Sequence, residues 1–365
     1  MSGRHLDRVR RAAEEAVAEG IAAVIVAPSP DLSYLAGYDP PPYERLSLLV
    51  IRPGTDAVFL VPALERPLAL TSPVGRAVEV VGWTDGEDPY EAAARLLPSD
   101  ALVATGDRMW ASHLLGLQRA LPGASFTTAS PVISRLRSVK DAEELAALSR
   151  AARGADETFR GICGARFEGR HEVDLAEDLS DLLVRHGHRR ADFAIVASGP
   201  NGASPHHNPG ARTIRPRDVV VMDFGGELGG YFSDTTRTVV VGEPPAGLPE
   251  VYETVRAAHD AALAAVRPGA AAQDVDRAAR RVIEASGYGQ RFLHRTGHGI
   301  GLEVHEPPWI VEGSEVELRP GMTFSVEPGV YLEDRFGVRI EDIVAVTDDG
   351  VDRLNRSTRD LQIVH

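Results

Sequence analysis

Two kinds of hydrophobic pattern alternate along the first third of the chain. Short apolar runs, AAVIV from Ala22, SLLVI from Ser47, AVFLV from Ala57, AVEVV from Ala77 and ALVAT from Ala101, have the length and composition of strands. Residues 4–19, 89–97 and 111–121 instead space their apolar positions at helical intervals. Strand and helix in turn predict an α/β domain. The pattern changes at SVKDAEELAALSRAARGADETF. There Leu145, Leu148, Ala151 and Ala152 recur at helical spacing, and Asp141, Glu143 and Glu144 crowd a first turn, where the helix dipole favours acids. The change sets a domain boundary near 138, giving domains 1–138 and 139–365.

Beyond the boundary a helix followed by a hairpin occurs twice. EVDLAEDLSDLLVRHG (Glu172–Gly187) precedes VVVMDFGGELGGYFSDTTRTVVV, and DVDRAARRVIEASG (Asp274–Gly287) precedes TFSVEPGVYLEDRFGVRIEDIVAV. This imperfect repeat predicts a pseudo-symmetric α+β domain with a ligand site where the halves meet. In the first hairpin, a turn centred near Leu228 and Gly229 sets Asp223 directly opposite Asp234. Like charges facing at the ~4.5–5.5 Å of a cross-strand pair are destabilising. Either a cation lies between them, or the turn is offset and both acids reach solvent. Glu327 and Glu341 stand equally far from a second turn near Asp334, each among apolar neighbours. His298 lies between Gly297 and Gly299, where missing side chains let other groups approach. Four carboxylates balance two divalent ions, and a pair of metals forms a clamp for hydrolysis. Oxygen-rich donors with a single imidazole favour Mn²⁺ or Co²⁺ over the thiolate-rich sites of structural Zn²⁺.

Composition narrows the partners. Acids exceed bases by 53 to 39, a net charge of −14, which repels phosphate backbones and anionic lipid. Nucleic acid and membrane are therefore not expected partners. No apolar run approaches the ~18 residues of a membrane span. The basic start is interrupted by Asp7, Glu14 and Glu15 with no apolar stretch behind it, so no signal peptide is read and a cytoplasmic location is expected. Cys163 is the single cysteine and reads as a small buried apolar residue; His294 reads as structural. HEPPW lacks the second histidine of a zinc-binding helix, which Pro307 and Pro308 would break in any case.

Asp223, Asp234, His298, Glu327 and Glu341 occur in that order within MDFGG, SDTTRT, GHGIGLEVHE, GMTFSVEPG and VRIED. These blocks resemble the signatures of the pita-bread metallopeptidases, the family of methionine aminopeptidase, aminopeptidase P and prolidase. GIAAVIVAPSPDLSYLAGY is similar to the additional amino-terminal domain of creatinase, prolidase and aminopeptidase P. The resemblance implies an α/β creatinase-like domain followed by a pita-bread catalytic domain. It also implies two divalent ions per chain, Mn²⁺ ahead of Co²⁺ or Zn²⁺. Asp234 and Glu341 would bridge the ions, Asp223 would complete one site, and His298 with Glu327 the other. A hydroxide held between the ions would be the nucleophile and Glu327 the proton shuttle. His206 and His305 would be the active-site histidines that stabilise the carbonyl oxygen, while the neighbouring His207 receives no role. Arg339 would support the ligand hairpin or act directly in catalysis, and Thr236 would hydrogen-bond a ligand carboxylate.

The implied activity is hydrolysis of the bond before proline in Xaa-Pro dipeptides, small peptides with proline second, by a homodimer. Two alternatives remain: an aminopeptidase P-like enzyme for longer peptides, and a catalytically inactive binding module. Some strict dipeptidases of the family carry an arginine four residues past the second histidine. Trp309 stands there in this chain, and tryptophan cannot form the bidentate ion pair with a carboxylate that arginine offers. Arg339 or another cation takes that role, or the carboxylate is not required.

Overall fold

The computed structural model describes residues 2–365 and divides into two compact units, one ending at Arg137 and the other comprising Ser138–His365. In the first unit, six strands form one mixed sheet among the described residues: β1 (Ala23–Val26), β2 (Leu48–Ile51), β3 (Val58–Pro62), β4 (Glu79–Trp83), β5 (Leu102–Thr105) and β6 (Ser125–Thr128). Their order is β4-β3-β2-β1-β5-β6, with β1 antiparallel to β2 and parallel to β5. Helices α1 (Ser2–Ala18), α2 (Pro30–Ala36), α3 (Arg66–Ala69), α4 (Pro89–Ala94), α5 (Ala111–Ala120) and α6 (Ser130–Ser138) connect and flank the strands. The runs forming β1, β2 and β3 are buried on both faces, and Val24, Ile25 and Val26 are wholly inaccessible, whereas β4 at the sheet edge is partly exposed. The edge strand β6 was not expected, since Ser125, Thr127 and Thr128 are exposed and leave no apolar run to read. No described helix is long and apolar enough to cross a membrane.

The second unit opens with α7 (Ala142–Cys163), whose start is fixed by a reciprocal cap. Glu144 N donates to Asp141 Oδ1 and Asp141 N to Glu144 Oε2, both at 2.9 Å. There follow α8 (Glu172–Arg185), β7 (Arg190–Ser198), β8 (Val219–Leu228), β9 (Tyr231–Val241), α9 (Leu248–Ala265) and α10 (Ala272–Ala285). The remaining strands are β10 (Gly297–Gly299), β11 (Glu306–Ile310), β12 (Thr323–Val326), β13 (Gly329–Leu332), β14 (Phe336–Arg339), β15 (Asp342–Val346), β16 (Val351–Arg353) and β17 (Gln362–Val364). Among the described residues three sheets result, β17-β9-β8-β7, β11-β10-β12-β15-β16 and the two-stranded β13-β14. Phe159, Leu175, Leu179 and Phe224 bind α7 and α8 to the first sheet; Val255, Val275, Ile283 and Phe324 bind α9 and α10 to the second. Each such side chain contributes roughly 1.5–3 kcal/mol on burial. The helix-then-hairpin repeat is thus two helix-backed sheets.

The first hairpin corrects one expectation. Its turn falls on Gly229 and Gly230, both at positive φ (63° and 86°), so Leu228 pairs with Tyr231. Two-residue turns that match strand twist need positive φ at both central positions, which glycine adopts freely and Leu228 does not. Asp223 therefore faces Thr236, and Asp234 faces Gly225. Residues 223 and 225 share a face, so the two acids are diagonal neighbours and not directly opposed. The acids do not turn to solvent either: Asp234 is buried.

The second hairpin is centred on Asp334, as its spacing predicts, but its ladder is broken. Val326 pairs with Asp342 and Gly329 with Arg339, leaving Glu327, Pro328, Ile340 and Glu341 between two separate ladders. Pro328 has no N–H to offer. Glu327 N donates instead to Thr296 O (2.8 Å) and Glu341 N to Thr236 O (3.1 Å).

Candidate active site

The four acids and one imidazole singled out by the sequence meet where the two larger sheets of the second unit adjoin. Asp223, Asp234 and Glu341 can bring one oxygen each to within 4.8 Å of one another; so can the ligand atoms of His298, Glu327 and Glu341, and those of Asp234, His298 and His305. Asp234 and Glu341 each belong to two groups, the position a bridging ligand needs. His305, which sequence reasoning placed only at the substrate, stands edge-on to His298 with ring centroids 4.1 Å apart. Backbone space explains the Gly-His-Gly pattern. A Cβ on Gly297 would lie 1.8 Å from Ser325 O, and one on Gly299 2.3 Å from Pro307 O. His298 Nδ1 lies 3.1 Å from Gly299 O; donating there leaves Nε2, 3.4 Å from Glu327 Oε1 and 3.5 Å from Asp234 Oδ2, free to act as a ligand.

The donor set fits a pair of divalent cations. Asp223 Oδ1 is buried without a hydrogen-bond partner among the described residues, while Oδ2 accepts from Arg339 Nη2 at 2.6 Å. A buried, unpartnered carboxylate oxygen among other acids is what a bound cation would satisfy. Without one, Asp234, Glu327 and Glu341 resist ionisation. Burial, then Glu341, Asp223 and Glu327, holds the Asp234 carboxyl well above the usual carboxylate range. Burial, then Glu327 and Asp223, does the same to Glu341. Burial pushes Glu327 up to about 7 against the pull of Arg339. Burial and His305 push His298 down to about 3, so its imidazole is neutral, the form that binds metal.

Several supporting residues join the hairpins. Thr236 Oγ1 donates to Glu341 Oε2 (2.8 Å) and accepts from Arg339 Nε (2.9 Å). Arg339 Nη1 also donates to Tyr331 Oη (3.0 Å) and Pro205 O (3.4 Å), so its guanidinium is occupied by the ligand framework. The wholly buried Arg237 donates to Glu341 O and Asp342 Oδ1, both at 2.6 Å, fixing β9 against β15. Glu172, buried at the start of α8, accepts from Ser198 N (2.7 Å), Asn201 Nδ2 (3.0 Å) and His207 Nε2 (2.8 Å). It thereby ties down the segment that carries His206. Sequence reasoning missed Arg237, Glu172 and Tyr331, whose partners lie many residues away. For Glu172 the signal was an acid in a first helical turn, which reads equally well as capping.

A cavity of about 650 Å³ opens onto the donors. His206 and His305 line it and are exposed to it, and Phe193, Ile195 and Val304 give it an apolar wall. His294 lines it too, donating or accepting at Tyr331 Oη (2.8 Å), so it is part of the pocket wall as well as structural. Cys163 lies outside the cavity's walls. It is half-buried against the α7–α8 core, and burial pushes its thiol up to about 11, which leaves it unreactive.

Residues 146–348 match metallopeptidase family M24, and residues 8–139 match the creatinase/prolidase N-terminal domain. The Xaa-Pro dipeptidase of Lactobacillus helveticus is 37% identical over 341 residues, spanning 91% of this chain and 92% of that protein. The crystal structure of dipeptidase PepE from Mycobacterium ulcerans is 40% identical with a TM-score of 0.96, covering 100% of this chain and 98% of that one. Prolidase from Thermococcus sibiricus is 38% identical with a TM-score of 0.91, covering 98% of each chain. The architecture is therefore a creatinase-type amino-terminal domain followed by a pita-bread catalytic domain. This chain belongs to metallopeptidase family M24 and is a hydrolase.

Proposed function

We propose that the protein hydrolyses the peptide bond before proline in Xaa-Pro dipeptides. The observation that carries this reading is the convergence of Asp223, Asp234, His298, Glu327 and Glu341 at the floor of a small cavity with an apolar wall. Two divalent ions, held by those five residues, would supply an activated water and polarise the scissile carbonyl. Glu327, a carboxylate on the cavity wall beside His298 and Glu341, is suited to accept a proton from the attacking water and return it to the departing nitrogen. His206 and His305 line the cavity from two different segments of the chain and can donate to the developing oxyanion. Phe193, Ile195 and Val304 offer a surface for the proline ring, whose tertiary amide has no N–H for a backbone-gripping protease to hold. The similarity to an Xaa-Pro dipeptidase of Lactobacillus helveticus and a prolidase of Thermococcus sibiricus supports the same substrate class.

Mn²⁺ as the resident metal rests on the oxygen-rich donors. A homodimer rests on the family resemblance, and a cytoplasmic location on the single cysteine of the sequence. The test is turnover of Gly-Pro, Ala-Pro, Ala-Leu and Ala-Pro-Ala after reconstitution with Mn²⁺, Co²⁺ or Zn²⁺. Preference for Ala-Pro over Ala-Leu and Ala-Pro-Ala is expected. Best cleavage of Ala-Pro-Ala would make the enzyme an aminopeptidase, and no turnover with any metal would leave a binding module.

A further inference from the structure

Of the two arginines that line the cavity, Arg339 is consumed by Asp223, Thr236, Tyr331 and Pro205. Arg295 is not. It is half-buried, and among the described residues its guanidinium makes no hydrogen bond or ion pair. What it has is a flat support: its guanidinium carbon lies 4.5 Å from the centre of the Trp309 ring. Trp309 in turn pairs with His298 across β10 and β11, so the stack stands beside the metal ligands. The electrostatics agree with that position. After burial, Arg295 is the largest influence holding His305 low, and Glu327 offsets the cost that burial imposes on Arg295 itself.

We infer that Arg295, laid flat on Trp309, receives the free carboxylate of a dipeptide substrate. The inference rests on the dipeptidase reading and adds the group that measures substrate length. A dipeptide has one residue past the scissile bond, spanning at most ~3.6 Å, so its carboxylate must be met inside the same cavity. The other charged groups on the cavity wall, Asp192 and the four ligand acids, repel an anion. An unoccupied guanidinium offers two parallel donors matched to a carboxylate, and stacking fixes its plane at little cost in side-chain entropy. Trp309 is a positioning residue in this arrangement and touches the substrate only through Arg295.

The test measures kcat/KM for Ala-Pro, Ala-Pro-amide, Ala-Leu and Ala-Leu-amide with metal-loaded wild type, Arg295→Met, Arg295→Lys and Trp309→Ala. Metal content is read alongside. In the wild type, amidation should cost about a hundredfold, the value of a charge-assisted hydrogen-bond pair. In Arg295→Met the acid and amide should converge to within about threefold through loss on the acid, with metal content unchanged. Arg295→Lys, a point charge without the fork, should restore part of the gap. Trp309→Ala should narrow it mainly through a higher KM for the acid. L-proline should inhibit wild type more strongly than Arg295→Met, and prolinamide should inhibit both equally weakly. Equal losses on acid and amide in Arg295→Met, or a wild type indifferent to amidation, would overturn the inference. So would turnover confined to peptides longer than two residues. Should Ala-Leu be cleaved and Ala-Pro not, the proline reading fails alone and the Ala-Leu pair decides the role of Arg295.

Discussion

The two hairpins that supply the acids solve the same problem in different ways. In β8 and β9 the ladder runs unbroken from Val219–Val240 to Leu228–Tyr231, and Asp223 and Asp234 project diagonally from one face. Room between them comes from Gly225, the residue opposite Asp234, where a Cβ would lie 2.1 Å from Ser233 O. In the second hairpin the ladder stops at Val326–Asp342 and resumes at Gly329–Arg339, and the two glutamates occupy the gap. Their backbones are held from outside, Glu327 by Thr296 and Glu341 by Thr236. A regular ladder fixes short aspartates by register. An interrupted one lets longer glutamates reach from between two sheets. Thr236, Arg237 and Thr238 on β9 then bind residues 339–342, so the second hairpin is positioned by the first.

If the hairpins contribute equally, Asp234→Ala and Glu341→Ala should each lower kcat/KM by more than about 10³-fold, since each removes an acid shared by two donor groups. Both should also lose bound metal in elemental analysis. Near-normal turnover in one of them would end the equivalence. The histidines outside the hairpins should behave differently. His206→Ala and His305→Ala are expected to keep the metals and lose on the order of 10²–10³ in kcat, the effect of removing one oxyanion donor. Metal loss in His305→Ala would make it a ligand, as its place beside Asp234 and His298 allows.

Thr236→Val probes the link between hairpins. Removing a hydroxyl that orients Glu341 should weaken metal binding by about 10–100-fold in competition with a chelator, with the fold retained. Gly225→Ala probes the first hairpin alone and should destabilise it by about 1–3 kcal/mol in urea denaturation, the usual cost of overpacking.

A further test concerns the effect of pH on metal-free protein. Glu327 has its carboxyl raised from 4.5 to about 7 in the fold. Between those values the folded chain holds a proton that the unfolded chain has lost, so its stability should fall as pH rises through that window. Melting temperatures of chelator-treated protein across that range test the slope, and bound metal should flatten it because the cation displaces the proton. A metal-free protein that becomes more stable over the same range would contradict the burial of Glu327.

Chain order and residue type determined much of this. Apolar runs marked five strands of the amino-terminal sheet, and the acids at Asp141, Glu143 and Glu144 marked the start of α7. The spacing about Asp334 centred the second hairpin correctly, because Glu327 and Glu341 lie symmetrically about one turn. All five side chains that the fold gathers were legible because their chemistry conflicts with their apolar neighbours unless something binds them. Tertiary structure decided what local pattern does not encode. Turn placement in the first hairpin hung on which two residues could take positive φ, and a one-residue change there moved Asp223 from opposite Asp234 to its diagonal. The supports Glu172 and Arg237 have partners that long stretches of chain separate from them, and Tyr331 and Arg295 meet Arg339 and Trp309 only through the packing of neighbouring segments. A buried arginine and a free one look the same in sequence. Only packing determines that Arg339 is occupied by acceptors on every side while Arg295 rests on Trp309 with its donors open.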